Sequence, residues 1–192
     1  NETLLNFADA NGDGLSDVIL FYLNSGLEQY QVYPSNGDGT FGAPIRTHLP
    51  KTVHKDSKAY IGDINGDGFS DIVFQRGVSL YERLSNGDGA FSKNDTTLIT
   101  SAPNCIGLAD VNGDGLADYL GYRNQYPYRY FYVHLSKGDG SFAPQILSDI
   151  PGAMHDEAIP TLGDVNGDGM VDVVFAYNMH TYFKISEGDG TF

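Results

Sequence analysis

Four stretches of the chain set oxygen-bearing side chains at identical offsets. In residues 9–17, Asp9, Asn11, Asp13 and Asp17 occupy positions 1, 3, 5 and 9 of the pattern Asp-x-Asn-Gly-Asp-Gly-x-x-Asp. The pattern returns at 63–71 (Asp63, Asn65, Asp67, Asp71), at 110–118 (Asp110, Asn112, Asp114, Asp118) and at 164–172 (Asp164, Asn166, Asp168, Asp172). Three carboxylates this close repel one another unless a cation lies among them. Calcium takes about six to eight hard oxygens, and the backbone carbonyl of position 7, at Leu15, Phe69, Leu116 and Met170, supplies one more. Gly12 and Gly14 allow the sharp bends, through positive φ, that aim successive carboxylates inward. Up to four Ca2+ ions are expected, and their eight positive charges would bring the formal charge from −14 to −6.

Over six positions the loop is similar to the calcium loop of an EF-hand, and then it departs. Position 12, where that loop carries a bidentate Glu, holds Leu20, Phe74, Gly121 and Phe175. The segment after position 9 is apolar and largely β-branched or aromatic, as in Val18-Ile19-Leu20-Phe21-Tyr22 and Ile72-Val73-Phe74, which reads as strand and not as an exiting helix. Asp at position 9 therefore closes the site, and each loop is expected to join two β-strands.

The elements that must position these loops recur with them. A second pattern, Gly-Asp-Gly-x-Phe, comes after each loop at 37–41, 87–91, 138–142 and 188–192. It offers one carboxylate and no ladder of oxygens, so it reads as a hairpin turn whose Phe packs between repeats. The loops start 54, 47 and 54 residues apart, yet Asp9 to Asp110 and Asp63 to Asp164 are both separated by 101 residues, so the repeating block holds two loops. Strands that precede the turn, such as Tyr81-Glu82-Arg83-Leu84-Ser85 and Tyr132-Val133-His134-Leu135-Ser136, alternate as half-exposed strands do. Four strands in each unit of roughly 50 residues predict an all-β chain of propeller blades. The blades are expected near 1–50, 51–100, 101–151 and 152–192, the last about one strand short, as a segment or half of a larger propeller.

Composition narrows the partners. With 25 acidic and 11 basic residues the chain has no basic cluster to neutralise phosphates, which argues against nucleic acid and anionic membrane. No apolar run approaches the roughly 18 residues of a membrane helix, and the start at Asn1 suits a mature or excised segment. Cys105 has no second Cys to pair with and reads as a buried small hydrophobe. The histidines are dispersed and no nucleophile elbow or zinc helix accompanies them, so the reading leans away from an enzyme.

Residues 62–73 and 85–91 together resemble the FG-GAP or VCBS repeat, and the resemblance extends over essentially the whole chain. Similar repeats build the calcium-bearing heads of integrin α subunits, fungal propeller lectins, propeller portions of bacterial insecticidal toxins and some polysaccharide lyases, mostly secreted or surface proteins. The resemblance implies calcium at the Asp and Asn positions named above, an extracellular or cell-surface location, and a non-catalytic module that recognises glycan or protein. The alternative it carries is the propeller of a carbohydrate-active enzyme such as a polysaccharide lyase. Two copies that associate to complete one propeller are a further expectation. Candidate ligand contacts are His54 and His155, which recur 101 residues apart, and Tyr126, Tyr128 and Arg129 in a tyrosine-rich connection. A structural hydrogen bond for the histidines, and a hairpin with cross-strand tyrosine pairs for the connection, stand as the alternatives.

Overall fold

The computed structural model describes residues 3–22, 29–49, 53, 56–92, 96–99, 104–125, 128–150 and 158–192. Among them every regular element is a β-strand, and no helix is long and apolar enough to cross a membrane. The chain divides into two compact units, Asn1–Ser101 and Ala102–Phe192, each holding two antiparallel sheets of propeller-blade type.

In the first unit, β1 (Thr3–Ala8), β2 (Asp17–Tyr22), β3 (Gln29–Tyr33) and β4 (Ile45–His48) form one sheet in sequence order. The second sheet is β5 (Lys58–Gly62), β6 (Asp71–Arg76), β7 (Ser79–Arg83) and β8 (Thr96–Ile99). In the second unit, β9 (Cys105–Ala109), β10 (Asp118–Gln125), β11 (Tyr128–His134) and β12 (Ile146–Asp149) repeat the arrangement. The remaining sheet has three strands, β13 (Pro160–Gly163), β14 (Asp172–Tyr177) and β15 (His180–Lys184).

Alternation along the strands decides which face meets the partner sheet. In β2, Asp17, Ile19 and Phe21 are buried while Val18, Leu20 and Tyr22 are half-buried. Ile19, Phe21, Tyr30 and Val32 from the first sheet join Ile72, Phe74 and Phe91 from the second in a single apolar cluster. The Phe21 and Phe74 rings meet edge to face with centroids 5.5 Å apart, and Tyr30 and Phe91 do so at 5.4 Å, the geometry that ring quadrupoles favour. The second unit does the same with Leu120, Phe131 and Val133 against Val173 and Phe175.

Two expectations are corrected. The strands that precede the turns are not uniformly half-exposed, because Arg83 (2% exposed), Glu82 and His134 are buried. Arg83 and Thr47 both hydrogen-bond the Tyr30 hydroxyl, so a polar side chain is carried inside by a polar partner. The Phe of the Gly-Asp-Gly-x-Phe turn also varies. Phe91 is buried, with its N–H donating to Tyr30 Oη at 3.0 Å, and Phe192 meets Phe131 at 6.0 Å, so these two pack across sheets. Phe41 is 45% exposed and Phe142 lies on Tyr119 of its own sheet. The turns themselves are closed by the bridges Ser35 to Phe41, Ser85 to Phe91 and Ser136 to Phe142.

Phe74 belongs to the apolar cluster of the first unit and is 1% exposed. Replacing it with Ala removes a ring that the surrounding sheets cannot collapse to fill, at a cost of about 3–5 kcal/mol. Urea unfolding of Phe74→Ala should show that loss with an unchanged slope, and a loss below about 1 kcal/mol would contradict the packing described.

Candidate metal centres

Each acidic loop connects the first two strands of its sheet. Ala8 pairs with Asp17, Gly62 with Asp71, Ala109 with Asp118 and Gly163 with Asp172, so position 9 is already the first residue of a strand. The loop therefore springs from two strands held in register, and its ends cannot drift apart.

Inside the loop, side-chain oxygens hold the backbone in a coil. Asp9 Oδ1 accepts the N–H of Gly12 at 2.6 Å and Oδ2 that of Gly14 at 2.9 Å. Asn11 Oδ1 accepts from Asp13 N at 3.0 Å, and Asp13 Oδ1 from Leu15 N at 2.8 Å, two-residue bonds that short polar side chains make in tight turns. Gly12 and Gly14 have φ of 76° and 81°, the left-handed conformation expected of them. The other loops repeat the set, from Asp63 to Gly66 and Gly68, from Asp110 to Gly113 and Gly115, and from Asp164 to Gly167 and Gly169.

Position 9 acts differently. Asp17, Asp71, Asp118 and Asp172 are all fully buried. One oxygen accepts the N–H of position 2, at Ala10, Ile64, Val111 and Val165, over 2.9–3.1 Å. The other accepts the N–H of the Ser that opens the turn, Ser35, Ser85, Ser136 or Ser186, over 2.7–2.9 Å. This carboxylate thus fastens the loop entrance and the end of the third strand to the start of the second.

Electrostatics place the loop carboxylates near one another. Burial pushes the Asp71 carboxyl up to about 7 and that of Asp118 up to about 6, with added repulsion from Asp67 and Asp63 and from Asp114 and Asp110. The N–H bonds from Ser85 and Ile64, and from Ser136 and Val111, pull the other way without overcoming burial. Asp164 is held below the usual range by the N–H groups of Gly167 and Gly169.

As a donor set the loops offer hard oxygens only, from three carboxylates, an amide and a position-7 carbonyl within nine residues, the donor chemistry of divalent cations such as calcium, magnesium or manganese. They are not a closed cage. Among the described residues no three His, Cys, Asp or Glu side chains converge closely enough to hold an ion. The oxygens described above accept backbone N–H groups, and each keeps a further lone pair.

The candidate ligand contacts fare unevenly. His54, His155 and Tyr126 lie outside the described residues, and Tyr128 is placed only as a strand residue opposite Gln125. Arg129 is half-buried on β11, opposite Asn124. The tyrosine-rich connection is the long β10–β11 hairpin, where Arg123 faces Tyr130 and Gly121 faces Tyr132. Sequence reasoning missed what this hairpin gathers on one face: Tyr119, Tyr132 and His134, all buried, with ring centroids 5.9–6.2 Å apart. Burial pushes both phenols up, Cys105 adding to the effect, and pushes the His134 imidazole down despite its contact with Ala143 O. The absence of Cβ at Gly121 makes room for the Tyr132 ring and hydroxyl, and that glycine was the available signal.

Comparison with known proteins bears on the same repeats. A family model described as FG-GAP-like repeat matches residues 9–74 and 110–175, more than half of the chain. No curated protein matches. Among solved structures, an Agrocybe aegerita lectin, described for specific recognition of non-reducing terminal N-acetylglucosamine, is 25% identical with a TM-score of 0.77. The match covers 100% of this chain and 50% of the lectin chain, so this chain spans half the lectin's length. The Tc holotoxin pore of Photorhabdus luminescens is 21% identical with a TM-score of 0.69, over 93% of this chain and 9% of the toxin chain, a likeness of fold alone.

The raised carboxyls give the metal-free protein a pH dependence with a definite sign. A buried Asp71 whose folded value is about 7, against an ordinary 3.8, favours the folded state while protonated, and that contribution is lost as pH rises from about 4 through 7. In chelator, the part of the stability loss between pH 5 and 7.5 that belongs to Asp71 should vanish in Asp71→Asn, as read by urea midpoints. Parallel pH profiles for the two proteins would contradict it.

Proposed function

The chain belongs to the FG-GAP-like repeat family, and from that premise we propose that it is a calcium-binding recognition module that works outside the cell or at its surface, without catalysis. The observation that carries the reading is the fourfold recurrence of one oxygen donor set, coiled each time between two paired strands. An ion held by Asp9, Asn11, Asp13, Asp17 and the Leu15 carbonyl, and by the corresponding residues of the other loops, would supply the positive charge that the clustered carboxylates lack. The chain's own part is to hold the donors: the glycine bends aim them, and the position-9 carboxylate ties the coil to the sheet.

A loop that lacks the bidentate Glu of an EF-hand and sits at the surface should bind weakly, in the range of about 10⁻⁴–10⁻³ M typical of extracellular modules. Recognition of a glycan is supported by the likeness to the Agrocybe aegerita lectin at 25% identity, and the proposed ligand class is a glycan that ends in N-acetylglucosamine. A protein ligand is the alternative.

Calcium at about 100 times its Kd stabilises the native state by roughly 2.7 kcal/mol for each ion that binds it selectively. Melting temperature should therefore rise by many degrees with calcium and return with chelator, and retention on immobilised N-acetylglucosamine-terminated glycan should need calcium. An unmoved melting temperature would sink the calcium reading. Stabilisation by calcium without glycan retention would leave the protein-binding alternative in place of the glycan.

A further inference from the structure

Each unit contains two acidic loops, and the structure joins them by contacts that neither loop needs for its own coil. In the first unit the Ser70 N–H, at position 8 of the second loop, donates to the Asp9 carbonyl at position 1 of the first loop over 2.8 Å. The Ser85 hydroxyl donates to the Ala10 carbonyl, also over 2.8 Å. The Phe69 ring covers Gly12 so closely that no Cβ fits there, and it also covers Gly87, where a Cβ would stand 2.8 Å from the ring. Phe69 thus belongs to both loops: its carbonyl is at position 7 of its own, and its ring lies on the bend of the neighbour.

The second unit repeats this with a different side chain. Val171 N donates to the Asp110 carbonyl over 2.8 Å, and the Ser186 hydroxyl donates to the Val111 carbonyl. Met170 takes the place of Phe69, with its Cγ 3.5 Å from where a Cβ on Gly113 would be and its Sδ 3.3 Å from one on Gly188. A hydrogen-bonded path runs through each unit. Asp71 accepts from Ser85 N, Ser85 Oγ donates to Ala10 O, and Ala10 N donates to Asp17. Asp172, Ser186, Val111 and Asp118 form the same path.

We propose that the two loops of each unit take up calcium as a coupled pair, with Phe69 and Ser85, and Met170 and Ser186, as the positioning residues that couple them. The inference rests on the calcium reading above and goes beyond it. An ion in the second loop fixes the position-7 carbonyl, and with it the ring over Gly12 and the N–H on Asp9, so the first loop is partly ordered before its own ion arrives. Ordering that is shared is opposed by entropy once and not twice, which makes the second ion bind more tightly than the first. Charge does not reverse this, because the paired loops carry six carboxylates against the four positive charges of two ions. Couplings of this kind amount to roughly 5- to 150-fold in affinity.

The test is a calcium titration of the chelator-treated full chain, followed by calorimetry and by the amide signals of Gly12 and Gly14 beside those of Gly66 and Gly68. In the wild type both pairs of amides should follow one curve, with a Hill coefficient above 1. In Phe69→Ala combined with Met170→Ala the curves should separate and the Hill coefficient fall to about 1. Phe41→Ala is the control, since Phe41 is 45% exposed in a turn outside both loops, and it should leave the coupling intact. Saturable binding by the wild type with independent curves would overturn the proposal and leave the calcium reading standing. No uptake at all would overturn both, and the wild-type curve decides even if the double variant does not fold.

Discussion

The buried aspartate at position 9 is the constraint on which the rest of this structure depends. Asp17, Asp71, Asp118 and Asp172 are wholly removed from solvent, yet each is an acidic side chain with two other aspartates in the loop it closes. Burying such a charge is unfavourable unless it is paired or fully hydrogen-bonded. Two backbone N–H groups supply that satisfaction and in return are satisfied themselves, which fixes the loop entrance, the first ladder pair and the end of the third strand in one step. Burial still leaves the Asp71 and Asp118 carboxyls raised, with repulsion from the other loop aspartates adding to it.

That constraint sets the layout of a unit. Because position 9 begins a strand, the apolar run after it enters the core in a fixed register, with Ile19 and Phe21 or Val173 and Phe175 turned toward the partner sheet. A one-residue slip would turn that set outward and break both aspartate bonds together. Asp71 and Asp172 also reach the neighbouring loop through Ser85 and Ser186, so in those two loops core packing and loop shape are set by one group of atoms.

Much of this was legible because it is local. Ligand spacing, glycine bends and short β-branched runs act within a few residues, and 101-residue recurrence tells that they act four times in two blocks. What was not legible depends on residues distant in sequence. Arg83 looks like a solvent-facing residue of an alternating strand until the Tyr30 hydroxyl is brought beside it. Phe41 and Phe91 occupy the same motif, yet Phe41 is exposed while Phe91 is buried against Tyr30 of the adjoining sheet. Phe69 and Met170 are read from sequence as carbonyl donors, while their side chains, which sequence leaves undefined, lie across the neighbour's glycine. The buried set of Tyr119, Tyr132 and His134 likewise needs the cross-strand register before it can be seen.

The claim at the centre is that these loops are metal ligands and not merely acidic turns stabilised by their own N–H groups. Equilibrium dialysis of the chelator-stripped chain against calcium, with bound metal counted per chain, tests it most directly. Four ions are expected at saturation, one for each loop, and three when Asp13 is changed to Ala. Uptake no greater than that of a protein of equal net charge without the loops would contradict it.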